Sequence, residues 1–128
     1  MSQSREDYIK FIYEYGAGQP VPNKAIAAGL GVSPPSVSEM ILKLANESLV
    51  SYRPYHGGTL TATGIQMAEE LIRKHEIWEF FLEHKLNYNK QEVHELAELL
   101  EHITPMDLAN PLAHFIEYPE HMEEGERG

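Results

Sequence analysis

The stretch from residue 26 to residue 40 constrains this chain most. Apolar residues stand at Ile26, Leu30, Val32, Val37 and Met40, the spacing that packs two helices together across a turn. Ala27 is small where the helices approach, and Gly31 permits the positive φ that the turn needs. Ser33 is a good N-cap and Pro34 a good first helical residue, because a proline lacks the N–H that would be unsatisfied there. These signals predict a short helix over 23–30, a turn at Gly31, and a second helix over 34–47.

The flanking segments extend the pattern. Ser4-Arg5-Glu6-Asp7 reads as a capping box, followed by Tyr8, Phe11, Ile12 and Tyr15 at helical spacing, and Gly16, Gly18 and Pro20 end that helix. Leu49 to Arg53 reads as a strand, Gly57-Gly58 as the turn, and Thr59 to Ala62 as the return strand. Three helices and a hairpin in this order make a winged helix-turn-helix; the plain alternative is a helical hairpin with no role on DNA. A long amphipathic helix is expected from Ile65 to His84, broken at Asn87–Asn89. Asn89 with Glu92 opens a helix to Ile103, and Thr104-Pro105-Met106-Asp107 caps a short one that Pro111 interrupts.

The expected fold is therefore mostly α: a DNA-binding domain over 1–64, a helical domain over 65–119, and a disordered tail over 120–128. A hydrophobic content of 42% over 128 residues suffices for a core. The absence of cysteine excludes a disulfide scaffold, a thiolate zinc finger and a cysteine nucleophile together, and fits a reducing cytoplasm. No apolar run is long enough to span a bilayer and the N-terminus has no apolar secretory segment, so a cytoplasmic location and no membrane partner are expected.

A net charge of −10 argues at first against a nucleic-acid partner. It is unevenly placed. Residues 1–65 carry five basic and five acidic groups, whereas the remainder carries five basic and fifteen acidic groups and six of the seven histidines. In the neutral half, the helix from Pro34 would enter the major groove of double-stranded DNA by its N-terminal end. Ser33, Pro35, Ser36, Ser38 and Glu39 lie on its first turns and Lys43 further along; Arg53, Tyr55 and His56 sit on the hairpin within reach of backbone. Short hydroxyls bond phosphates or base edges, and Ser38 serves equally as solvated surface. With no bidentate arginine among them, base readout is modest, and DNA shape carries more of the specificity. A module with so few cations needs dimerisation and a switch.

In the acidic half, His94, Glu98, Glu101 and His102 fall at i, i+4, i+7 and i+8, one face of a helix. His75 and Glu79 form another i, i+4 pair. Each of these residues taken singly reads as solvated helix surface. Taken together, they place like charges on one face, which a cation among them would relieve. Oxygen and imidazole donors without sulfur suit Mn²⁺, alternatively Fe²⁺.

At these residues the chain resembles the DtxR/MntR family of metal-dependent repressors. Glu6-Asp7-Tyr8-Ile9 with Ile12-Tyr13 resembles the family's first helix, Val32 to Ser38 its recognition-helix start, and Leu60-Thr61-Ala62-Thr63-Gly64 its wing exit. Arg73-Lys74-His75-Glu76 and Glu98-Leu99-Leu100-Glu101-His102 resemble its two metal-binding stretches. The resemblance implies Asp7, Glu98, Glu101 and His102 as the activating site, and His75, Glu79 and His94 as an ancillary site. It also implies a homodimer on an operator, metal-promoted DNA binding, and control of metal-uptake genes, here without an SH3-like third domain. Carboxylates at Asp7 and Glu98 favour manganese over iron. Lys10 stands where manganese-type members carry a glutamate, which leaves open whether one or two ions bind. Asp7 also has a capping explanation, and a negative charge suits a helix N-terminus in either role.

Two rivals remain. His-Glu-x-x-Glu lacks the second histidine of zinc proteases, Glu98-x-x-Glu101-His102 misses the inverted protease motif by one residue, and neither Glu-x-x-His pairs nor a phosphate loop occur, so no catalytic residues are assigned and no small-molecule substrate beyond metal ions is expected. The other rival is a winged-helix regulator that does not respond to metal. Ile77, Trp78, Phe81, Leu82, Val93, Leu96 and Leu100 are either the dimer surface or plain core.

Overall fold

A computed structural model describes residues 2–119. The expected tail over 120–128 lies outside the described residues. The chain divides into two compact units, between Leu71 and Ile72.

The first unit holds α1 (Ser2–Gly16), α2 (Asn23–Leu30), α3 (Pro34–Asn46), β1 (Val50–Arg53) and β2 (Gly57–Leu60), and α4 (Ala62–Phe80) begins in it. Gly31 ends α2 with φ 68°, and the Ser33 hydroxyl accepts from the Ser36 N–H to cap α3, with Pro34 at its first position. The helix-turn-helix therefore forms as its local signals dictate. Ile26 and Val37 are buried, and Leu30, Val32, Met40 and Ala27 pack on the same core with Ile9, Ile12, Ile41 and Leu44. Each fully buried aliphatic side chain contributes roughly 1.5–3 kcal/mol. The Arg5 guanidinium pairs with Glu47 at the end of α3, which ties α1 to that helix.

Several boundaries differ from expectation. Nothing in residues 2–4 breaks a helix, so α1 starts at Ser2, Ser4 lies inside it, and the capping box at 4–7 does not form. The hairpin turns at Pro54-Tyr55-His56, with Tyr55 at φ 70°, and Gly57-Gly58 belong to β2. The register is antiparallel, from Val50 opposite Leu60 to Arg53 opposite Gly57. Gly57 has φ +112°, and a Cβ there would stand 2.2 Å from the Val21 carbonyl oxygen. Gly57 is needed because the strand there passes hard against another backbone, whereas a Cβ at Gly58 would meet the Val50 side chain at 3.0 Å. Val21 and Gly58 exchange hydrogen bonds of 2.9 and 3.0 Å. α4 starts three residues earlier than expected because Thr61 caps it; its hydroxyl accepts from the Gly64 N–H and donates to the Ser48 carbonyl.

In the second unit, the remainder of α4 is followed by a π-helical turn, Phe81–Lys85, then α5 (Lys90–Glu101) and α6 (Met106–Phe115). The expected helix to His84 thus changes pitch after Phe80. Asn89 caps α5 by accepting from the Glu92 N–H at 2.9 Å. α6 runs through Pro111 rather than stopping there. A mid-helix proline costs about 3 kcal/mol, and burial of Ala109, Ala113 and Ile116 around Ile77 offsets it. Thr104 does not cap α6: its hydroxyl donates to the Leu100 carbonyl and accepts from the Trp78 indole N–H, 2.9 Å away. Among the described residues, no single helix is long and apolar enough to cross a membrane.

Candidate metal centre

α4 and α5 each present a row of donors. One turn of α4 puts His75 and Glu79 on one face, and α5 carries His94, Glu98 and Glu101 on another, with His102 at its C-cap. The rows meet at His75, which is buried. Its Nε2 lies 2.7 Å from Glu79 Oε2, and its Nδ1 lies 2.6 Å from Glu101 Oε1 and 3.8 Å from Glu98 Oε2. The second histidine, His94, stands 3.5 Å from Glu79 and 3.7 Å from Glu98, and its ring meets that of His75 edge-on.

Burial grades along this line. His94 is exposed, with 63% of its side chain accessible, Glu98 is half-buried, and Glu101 is 0% exposed. The His102 side chain is almost wholly buried, its Nε2 3.7 Å from Glu101 Oε2. A fully buried carboxylate is costly unless it is paired and hydrogen-bonded. Here two imidazoles face it.

The donor atoms are close enough to share an ion. One atom from each of His75, Glu79 and His94 lies within 4.8 Å of the others, and the same holds for His75, Glu98 and Glu101. The set is oxygen and imidazole nitrogen throughout, which fits a hard to borderline divalent cation such as Mn²⁺ or Fe²⁺. Three carboxylates around two histidines also leave negative charge for such an ion to balance. The ancillary grouping implied by the resemblance put His75 with Glu79 and His94, and the folded chain sets it against Glu98 and Glu101 as well. That contact joins residues 26 apart on different helices, which helical periodicity does not register. Asp7 lies in α1, in the first unit, and is half-buried.

On the first unit, Ser33, Pro35, Ser36, Ser38, Glu39, Lys43, Arg53 and Tyr55 are all exposed. The Ser33 hydroxyl is engaged at the cap, bonding both the Ser36 N–H and the Ser36 hydroxyl. Of the residues weighed between dimer surface and core, Ile77, Leu82 and Val93 are buried within the chain. The large apolar side chains left exposed on α5 and α6, or just after α5, are instead Leu99, Ile103, Leu108 and Phe115. Sequence periodicity did not single these out.

Comparison with known proteins decides the family. The sequence profile described as "Iron dependent repressor, N-terminal DNA binding domain" matches residues 1–58, and "Iron dependent repressor, metal binding and dimerisation domain" matches residues 61–127. The chain belongs to the DtxR/MntR family. Members are metal-dependent transcriptional repressors, and this one carries both of their modules. It is 34% identical over 119 residues to the uncharacterized HTH-type transcriptional regulator MJ0568 of Methanocaldococcus jannaschii, covering 91% of this chain and 95% of that one. It is 36% identical over 100 residues to the HTH-type transcriptional regulator MntR of Oceanobacillus iheyensis, covering 77% and 67%. Among solved structures, that of the manganese regulator SloR superposes with a TM-score of 0.76 at 43% identity, over 90% of this chain. This DtxR/MntR member spans about half of that longer chain, 54%.

Proposed function

We propose that this DtxR/MntR-family chain is a repressor switched by manganese, with ferrous iron as the alternative ion, which binds an operator as a homodimer in the cytoplasm and controls metal-uptake genes. The observation that carries this reading is Glu101, a fully buried carboxylate held against His75, the histidine that two donor groups share: one with Glu98 and Glu101, the other with Glu79 and His94. Manganese is supported by the all-oxygen-and-nitrogen donor set and by the manganese regulator among the similar structures.

In this reading Asp7, Glu98, Glu101 and His102 hold the activating cation, and His75, Glu79 and His94 an ancillary one. When bound, the cation supplies positive charge that the cluster of carboxylates lacks. Asp7 rests on the family resemblance; from a domain spanning 1–64 it would contribute to the same ion as α5 of a domain spanning 65–119. Residues from both domains then favour one arrangement, in which two recognition helices of a dimer meet successive major grooves, about 34 Å apart. Linkage requires that DNA tighten metal binding by the factor that metal tightens DNA binding. Exposed Leu99, Ile103, Leu108 and Phe115 supply the apolar surface for a second copy.

Fluorescence anisotropy of a labelled operator duplex, titrated across Mn²⁺, Fe²⁺, Zn²⁺ and a chelator, tests the reading. Affinity should rise with Mn²⁺ and fall with chelator, and Asp7→Ala and His102→Ala should each abolish the response. A metal-independent regulator is favoured by one feature: Glu79 and Glu101 already satisfy both nitrogens of His75. Unchanged operator affinity across the series would establish that reading instead.

A further inference from the structure

The wing tip has a use that core packing does not explain. Tyr55 is fully exposed, its whole ring in solvent, and it holds φ 70°, a left-handed conformation that costs a non-glycine residue roughly 1 kcal/mol or more. Nothing in the fold rewards an aromatic side chain there. Arg53 and His56, both exposed, flank it on the same hairpin. The hairpin is also held firmly. Arg53 pairs with Gly57 in the ladder, and Val21, immediately before α2, exchanges two hydrogen bonds with Gly58. Gly57 sits so close to the Val21 carbonyl that no side chain fits between them. The tip is thus pinned to the backbone that leads into the helix-turn-helix, and it moves with α2 and α3 rather than as a loose loop.

The helix α3 carries exposed serines and a proline at its start but no arginine or glutamine to read a base in two places, so specificity must come partly from elsewhere. A rigid aromatic tip flanked by an arginine and a histidine matches what the minor groove accepts: an apolar ring against sugars and base edges, and a cation in the negative potential of a narrow A·T-rich segment. We infer that Tyr55 enters the minor groove flanking the segment contacted by α3, with Arg53 beside it, and selects A·T pairs there. The inference rests on the DNA-binding reading above and adds to it the groove, the residue and the base preference.

Minor- and major-groove readout separate cleanly by base substitution. Guanine places an amino group in the minor groove that A·T pairs lack; inosine removes that group and leaves the major-groove face of guanine unchanged. A duplex selected from a random pool by the full chain in Mn²⁺ supplies the probe, and its flanking A·T pairs are then replaced by G·C or by I·C. Wild-type protein should bind the A·T and I·C duplexes alike and the G·C duplex roughly tenfold more weakly, within the range that one misread pair costs. Tyr55→Ala should weaken binding to the first two to the level of the third, and Tyr55→Phe should restore the preference. Equal weakness on G·C and I·C, an equal loss on all three duplexes with Tyr55→Ala, or no effect of that substitution would each overturn the inference while leaving DNA binding intact. Failure to select any duplex would overturn the DNA-binding reading itself.

Discussion

Replacing Glu101 with glutamine keeps the shape of the side chain and removes its charge. The carboxylate is 0% exposed and its Oε1 lies 2.6 Å from His75 Nδ1. A hydrogen bond to a charged group contributes about 1.5–3 kcal/mol. The amide oxygen can still accept from Nδ1, so the metal-free variant should lose about 1.5 kcal/mol, the lower end of that range. The larger effect is on the response to metal. At a free Mn²⁺ concentration of about 100 times Kd, binding stabilises the wild-type fold by about 2.7 kcal/mol. If the substitution weakens binding about 100-fold, the same Mn²⁺ concentration adds only about 0.4 kcal/mol. At about 2–8 °C per kcal/mol for chains of this size, Mn²⁺ should raise the wild-type Tm by roughly 5–20 °C and the variant's by roughly 1–3 °C. Far-UV circular dichroism melts with Mn²⁺ and with chelator measure both. A Glu101→Gln protein that folds and gains the full wild-type increment would show that this carboxylate takes no part in holding a cation.

Gly57→Ala should cost about 2 kcal/mol or more, because it combines a positive φ with a Cβ 2.2 Å from the Val21 carbonyl oxygen; urea denaturation reads the loss. Thr104→Val leaves the Trp78 indole N–H without its acceptor and should cost about 1–3 kcal/mol; Trp78 is the one tryptophan in the chain, so its emission reports the site directly. Phe115→Glu places a charge on a residue that is 83% exposed, so the fold should survive while sedimentation velocity shows a monomer; an unchanged dimer would remove Phe115 from the interface.

Much of the first unit was legible because its signals are local. Ile26, Val37, Gly31 and the Ser33-Pro34 start act within one or two turns of chain, and their helices formed where periodicity and capping placed them. The errors arose where a local signal competed with a distant contact. Gly57-Gly58 looks like a hairpin turn, yet both lie in β2, where Gly57 has no room for a side chain because the Val21 backbone passes beside it. Thr104 looks like a cap, yet Trp78 and the Leu100 carbonyl take its hydroxyl. Pro111 looks like a stop, yet α6 continues because burial on both sides of it outweighs one lost hydrogen bond.

The donor rows show the same division. The i, i+4 and i+7 intervals of α4 and α5 follow from helix geometry alone, so the order of residues suffices to put His75 beside Glu79 and to line up His94, Glu98 and Glu101. Which row meets which, and how deeply each donor sits, depends on how the second unit packs. Packing is what leaves His94 in solvent, removes Glu101 from it, and brings His75 between Glu79 and Glu101. Intervals along a helix are set by covalent chain and hydrogen-bond pitch, whereas burial and contact between helices are set by the apolar surfaces that close around them.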